Sequence, residues 1–217
     1  MSFSKAIIAA LLVCAVSVEC YDYFLLAIQW GPSFCLVTNC LPPSNIRKWT
    51  IHGLWPTTPS PPYPAYCNDI PFREADLRSI ESQLIQEWPT LTSPGDHSSF
   101  WEYEWDKHGT CGVDNSRVNT QFNYFNYTLN LHYSAEVQNN LQDNSILPSD
   151  SKTYTRTTVS NAFRNAWGVT PELVCNTVSG RSYLAEVRIC YNKNFGFMNC
   201  PNVGSCPTSN IYYPYSY

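Results

Sequence analysis

Ten cysteines stand in this 217-residue chain, and their distribution constrains the fold more than any other feature. Cys14 and Cys20 fall in a leading segment with the marks of an export signal. Lys5 gives it a short basic start, Ala6 to Val18 is an apolar run, and Val18 and Cys20 are small residues suited to a signal-peptidase cut. Residues 1–20 are therefore expected to be a signal peptide, and the protein to be secreted or delivered to a lysosome-like compartment. A retained membrane anchor is the weaker reading, because the run is shorter than the roughly 20 residues a spanning helix needs. Cleavage leaves Cys35, Cys40, Cys67, Cys111, Cys175, Cys190, Cys200 and Cys206. An even set in an exported chain reads as disulfides, although eight cysteines allow about 105 pairings and spacing does not choose among them. A zinc site is the competing reading. The chain has no Cys-x-x-Cys pair and its two central histidines lie far apart, so no metal is expected.

The remaining stretch, 21–217, is long enough to bury a full core and is most simply one domain. Tyr21 to Trp30 reads as a strand stopped by Gly31-Pro32, and Lys48 to Trp55 as another ended by Pro56. Thr57 to Tyr66 is rich in proline and serine and reads as a surface loop. Asp69 and Pro71 look like a helix start, with Leu77, Ile80, Leu84, Ile85 and Trp88 at helical spacing up to Pro89. A second helix is expected from Ser99, with Glu102 in capping-box register, to Gly109. Phe122, Phe125 and Leu129 suggest a third, and Val159, Phe163 and Ala166 a fourth that stops at Gly168. Tyr183 to Tyr191 alternates like a strand, with another near Phe195 to Cys200. Helices and strands mixed without regular alternation favour an α+β domain.

Two histidines lie in aromatic-rich segments. His52 stands in Trp49-Thr50-Ile51-His52-Gly53-Leu54-Trp55-Pro56, and His108 in Phe100-Trp101-Glu102-Tyr103-Glu104-Trp105-Asp106-Lys107-His108-Gly109-Thr110-Cys111. A pair of imidazoles supplies one general acid and one general base near neutral pH without a metal. In a helix Glu104, Lys107 and His108 share one face, a grouping that suits chemistry on a phosphodiester. The blander readings are an ordinary ion pair for Glu104 and Lys107 and a core histidine for His52; the company these residues keep argues against both. His97 and His132 lack such a setting and read as surface or helix residues. The net charge of −4, with 13 scattered lysines and arginines, disfavours tight, sequence-independent storage of nucleic acid. Brief phosphate contacts and aromatic stacking suit an enzyme that must release its product.

Ile51-His52-Gly53-Leu54-Trp55-Pro56, followed by Trp101-x-x-Glu104-Trp105-x-Lys107-His108-Gly109-Thr110-Cys111, resembles the two signature segments of the ribonuclease T2 family. Gln29-Trp30, the paired late cysteines and Tyr212-Tyr213-Pro214 extend the likeness over the mature chain. The Trp-Thr-Ile-His spelling and Trp167-Gly168-Val169-Thr170-Pro171 are similar to animal members. The resemblance implies one disulfide-bonded domain with a central antiparallel sheet and several helices. It also implies bridges between Cys35 and Cys40, Cys67 and Cys111, Cys175 and Cys206, and Cys190 and Cys200. The activity implied is that of a secreted endoribonuclease, free of metal and cofactor, acting on single-stranded RNA. His108 would take the proton of the 2′-hydroxyl and His52 would protonate the departing 5′-oxygen, leaving a 2′,3′-cyclic phosphate. Lys107 would stabilise the phosphorane and Glu104 would position Lys107 and the histidines. One imidazole must start neutral and the other charged, so the rate should be bell-shaped in pH.

Stacking on a base is worth about 1–3 kcal/mol, and Trp55 and Phe100 are the candidates for it, with Gln29 adding a hydrogen bond. Trp101 and Trp105 are expected in the core. Family members commonly carry a third histidine just before the glutamate, where it contacts phosphate, and this chain has Tyr103 instead. A phenol donates a hydrogen bond but brings no charge. A charge-assisted bond contributes about 1.5–3 kcal/mol, so activity should be weakened rather than abolished. Asn126-Tyr127-Thr128 is an N-glycosylation sequon. The competing function is that of a catalytically quiet relative serving in storage, toxicity or recognition. A monomer is the default.

Overall fold

Tyr-Phe-Leu-Leu-Ala-Ile-Gln-Trp is apolar on both faces, the pattern of a strand covered on both sides. The computed structural model, which describes residues 21–40, 47–92 and 96–216, builds this segment as β1 (Tyr23–Trp30), with all eight residues buried. The expected signal peptide lies outside the described residues. After β1 come α1 (Gly31–Cys35), β2 (Trp49–Thr57), α2 (Glu81–Glu87), α3 (His97–Lys107), α4 (Gln121–Ala135), α5 (Val137–Asp143), β3 (Ser149–Tyr154) and α6 (Arg156–Trp167). The chain closes with β4 (Glu172–Val178), β5 (Arg181–Tyr191), β6 (Phe197–Met198) and β7 (Ile211–Tyr213). No described helix is long and apolar enough to cross a membrane.

The domain is α+β, as expected, but its sheet is mixed. Strands run in the order β2-β1-β5-β7-β3, with β4 and β6 also on β5. Every pairing is antiparallel except β5 with β7, which is parallel. The two faces of β1 divide the molecule. Phe24, Leu26, Ile28 and Trp30 join the main core with Trp88, Trp101, Trp105 and Phe125 from the helices. Tyr23, Leu25 and Ala27 face the other way, with Cys190, Trp55 and Met198. That second face carries the site.

Buried indoles need a partner for their N–H, and all seven find one. Trp30 donates to Pro214 O, Trp49 to Tyr213 Oη, Trp55 to Glu104 Oε2, Trp88 to His52 O, Trp101 to Trp88 O, Trp105 to Ile70 O and Trp167 to Ala135 O. Disulfides join Cys35 to Cys40, Cys67 to Cys111, Cys175 to Cys206 and Cys190 to Cys200.

Several boundaries differ from the sequence reading. Pro56 does not end β2, which runs on to Thr57. In the sheet order β2 is an edge strand, where a missing N–H costs nothing. The helix expected from Asp69 to Trp88 breaks into a 3₁₀ turn (Glu74–Leu77) and the short α2. Leu77, Ile80, Leu84 and Trp88 are buried, but Ile85 is 41% exposed. Asp96, rather than Ser99, caps α3, its carboxylate accepting from Ser99 N. Gly168 ends α6 in the left-handed conformation. Asn126 sits half-buried inside α4 rather than in a loop, and Thr128 is wholly buried.

Candidate active site

In a regular strand His52 and Trp55, three residues apart, would point to opposite faces. The β1–β2 register pairs Ala27 with Gly53 and Ile28 with Ile51, so His52 is an extra residue at a bulge. The bulge turns both His52 and Trp55 to the open face, while Ile51 and Leu54 stay in the core. Trp88 Nε1 holds the His52 carbonyl at 2.9 Å.

Glu104, Lys107 and His108 arrive from α3. Lys107 is its last residue, and His108 is the C-cap, its N–H bonding Glu104 O at 3.0 Å. Just beyond, the Cys67–Cys111 bridge ties down the segment, aided by Tyr66 N to Lys107 O (3.0 Å) and Asn68 Nδ2 to Thr110 O (2.7 Å). The two segments meet at Gly53. A Cβ there would stand 2.1 Å from Glu104 Oε2 and 2.3 Å from Trp55 Nε1. Only glycine lets the indole N–H reach the carboxylate, at 3.0 Å.

His52, Trp55, Tyr103, Glu104, Lys107 and His108 line one cleft of about 510 Å³, closed on the far side by Tyr23, Leu25, Tyr63, Glu172, Arg188 and Asn202. The Trp55 ring stands between the imidazoles, with centroids 5.1 Å from His52 and 5.2 Å from His108. Arg188 packs on that ring at 5.3 Å. With its N–H given to Glu104 and its ring packed near His108 and Arg188, Trp55 holds the site together while lining the cleft. Phe100 is half-buried against the core, with its ring 6.4 Å from His52, and does not line the cleft. Gln29 is only 4% exposed and also lies outside it. Along β1, Tyr23 and Leu25 lie on the cleft side of His52 and Gln29 on the opposite side. Tyr103 is 46% exposed, and its hydroxyl accepts from Lys107 Nζ at 2.7 Å.

The two imidazoles sit in opposite fields. Burial and the nearby Lys107 ammonium, with a smaller push from His52, take His108 down to about 3. It is neutral at any ordinary pH. Burial would also depress His52, but its hydrogen bond to Glu186 and the charges of Glu186 and Glu104 outweigh this and leave it raised. Burial pushes Glu104 up to about 7. Lys107 is held raised by its bond to Tyr103.

Sequence reasoning missed Glu186, Arg188 and Glu172. His52 Nδ1 lies 2.7 Å from Glu186 Oε1. Arg188 Nε donates to Glu186 Oε2 at 2.7 Å and its Nη1 to Glu172 Oε1 at 2.8 Å. The signal was present: in Leu184-Ala185-Glu186-Val187-Arg188-Ile189-Cys190 two charges repeat at period two in an otherwise apolar strand. His132 and His97 stand elsewhere; His132 pairs with Glu87 at 3.2 Å and His97 Nδ1 accepts from Thr90 N. Among the described residues no group of three or more His, Cys, Asp or Glu is placed to hold a metal ion.

Comparison with known proteins shows the family. The model of the Ribonuclease T2 family matches residues 21–200. Ribonuclease DdI of Dictyostelium discoideum is 33% identical over 84% of this chain and 79% of its own length. Extracellular ribonuclease LE of Solanum lycopersicum is 35% identical over 87% of this chain and 85% of its own. The crystal structure of RNase NT in complex with 5′-AMP superposes with a TM-score of 0.79 at 27% identity, covering 89% of this chain and 98% of that one. The family match over residues 21–200, with relatives above 30% identity and a fold shared over 98% of RNase NT, places the chain in the ribonuclease T2 family of endoribonucleases.

Proposed function

We propose that the protein cleaves single-stranded RNA by two-histidine transphosphorylation. One observation carries this reading: His52 and His108 open into one cleft on either side of Trp55, and their surroundings leave His108 neutral and favour the charged form of His52. His108 takes the proton of the 2′-hydroxyl as its oxygen bonds to phosphorus. His52 gives a proton to the 5′-oxygen as that bond breaks, leaving a 2′,3′-cyclic phosphate. Lys107 meets the negative charge on the phosphorane between the two transfers, and Glu104 positions Lys107 and the histidines. That RNase NT, a structural relative, forms a complex with 5′-AMP supports an RNA substrate.

The family match begins at residue 21, directly after the expected leader, and a relative is named as extracellular; both support export. The test is digestion of single-stranded RNA in EDTA by the mature oxidised protein beside His108→Ala. The wild type should give cyclic ends, and the variant should lose about 10²–10⁴-fold in rate, the contribution of a positioned base. Absence of cleavage by the wild type across acidic and neutral pH would sink this reading in favour of a quiet relative.

A further inference from the structure

Behind His52 a row of charged side chains crosses the open face of the sheet. The β4–β5 register sets Glu172 opposite Arg188, and Glu186 lies two residues from Arg188 on the same face of β5. Glu172 bonds Arg188, Arg188 bonds Glu186, and Glu186 meets His52 Nδ1, each link between 2.7 and 2.8 Å. Glu172 is 7% exposed and Glu186 9%. Their neighbours on this face, Leu25, Ala27 and Cys190, are apolar.

Burying charges where apolar packing would serve is costly unless each charge is answered. Two carboxylates and one guanidinium leave one negative charge over. A protonated His52 balances it, so the row is neutral only when His52 carries its second proton. The other charged groups facing His52 are Glu104, which favours that proton, and Arg188, which opposes it; Lys107 and the neutral His108 complete the surroundings. Glu186 is itself held ionised: burial would raise it, but its bonds to His52 and Arg188 take it down to about 2.

We propose that Glu186, held in place by Arg188 and Glu172, is the positioning residue that makes His52 the general acid. The inference rests on the acid role given to His52 above. Glu186 accepts the Nδ1 proton and so fixes the ring with Nε2 toward the cleft; Nε2 has no hydrogen bond among the described residues. On cleavage the Nε2 proton passes to the departing 5′-oxygen. The neutral imidazole left behind keeps its proton on Nδ1, still donated to Glu186, and is thereby locked in one tautomer.

The test compares two leaving groups. RNA leaves as an alkoxide that needs a proton, whereas a nucleoside 3′-(4-nitrophenyl phosphate) leaves as a phenolate that does not. Glu186→Gln should lower kcat/KM on RNA roughly ten- to hundredfold, a share of the 10²–10⁴ a positioned acid supplies. It should move the basic limb of the profile to lower pH and leave the aryl ester within about threefold of wild type. His52→Ala, the control for the acid role, should lose RNA cleavage and spare the aryl ester. If His52→Ala fails to spare it, the acid assignment falls. If the control behaves but Glu186→Gln leaves RNA cleavage and the basic limb unchanged, or lowers both substrates equally, the positioning role is overturned. Should Glu186→Gln unfold because Arg188 loses half its pairing, Glu186→Gln with Arg188→Met removes both charges together and must show the same discrimination.

Discussion

His52 and His108 are the same side chain set in two different surroundings. His52 lies on a strand bulge, backed by Glu186 and flanked by Glu104. His108 closes a helix beside Lys107, with its Nδ1 buried and without a partner among the described residues. Carboxylates favour the charged imidazole in the first place; burial and an ammonium favour the neutral one in the second. On the proposed mechanism, the division into acid and base therefore follows from the neighbours each histidine is given, carboxylates for His52 and an ammonium for His108, and not from the imidazoles.

The contrast is broken most directly at Lys107. Removing its charge by Lys107→Gln takes away one cause of the depression of His108, while burial, the larger cause, remains. The base must be neutral, so activity is lost as pH falls through its pKa, now about 3. With that pKa partly released, the acid limb of kcat/KM should move to higher pH. The rate at the plateau should also fall, roughly ten- to hundredfold, because the phosphorane loses its cation. A profile of kcat/KM between pH 2.5 and 8 reads both effects, and an acid limb that stays in place would mean the ammonium does not act on His108.

Tyr103 is where the helix side is weakest. Its hydroxyl takes a hydrogen bond from the Lys107 ammonium and brings no charge of its own. Tyr103→His would release Lys107 toward phosphate and add a second cation below the pKa of the new imidazole. We expect kcat/KM at mildly acidic pH to rise roughly three- to tenfold, the range of one modest charge-assisted contact. An unchanged or lower value would show that the cleft no longer uses a cation there.

How much of this was legible differs between the two segments. The helix side could be read, because residues three and four apart share a face and Glu104, Lys107 and His108 follow that rule. The strand side could be read only in part. Its aromatic motif marked His52, but period two sets His52 and Trp55 on opposite faces, and only the bulge, a feature of pairing with β1, unites them. The hairpin from β4 to β5 had its own signal in Ser179-Gly180, both with positive φ in the structure. The parallel pairing of β5 with β7 had none, since it joins segments distant in the chain. Glu186 and Arg188 fall within the alternating strand Tyr183 to Tyr191, but that their face is buried depends on neighbouring strands the sequence does not announce. Gln29 and Phe100 were sound as residue types for base contact, yet both lie outside the main cleft.

The last effect is on stability rather than rate and concerns Glu104, which resembles Glu186 in burial but has no guanidinium bonded to it among the described residues. Glu186 has an imidazole and a guanidinium bonded to it and is taken down to about 2; Glu104 has the charge of His52, an indole N–H and the charge of Lys107, which do not outweigh its burial, and it stands at about 7. An unfolded glutamate titrates near ~4.3. As pH rises from there to about 7 the unfolded chain gives up this proton before the folded one, so stability declines through that window. Below it both states hold the proton and the cost disappears. Glu104→Gln, still able to accept from Trp55, removes the ionisation. With disulfides intact it should raise Tm by several degrees at pH 8 and hardly at all at pH 4, where about 1 kcal/mol corresponds to roughly 2–4 °C in a domain of this size. The same variant should lose activity on RNA. A Tm difference that did not depend on pH would mean that Glu104 ionises without penalty, and that His52 and Lys107 compensate it as fully as Arg188 compensates Glu186.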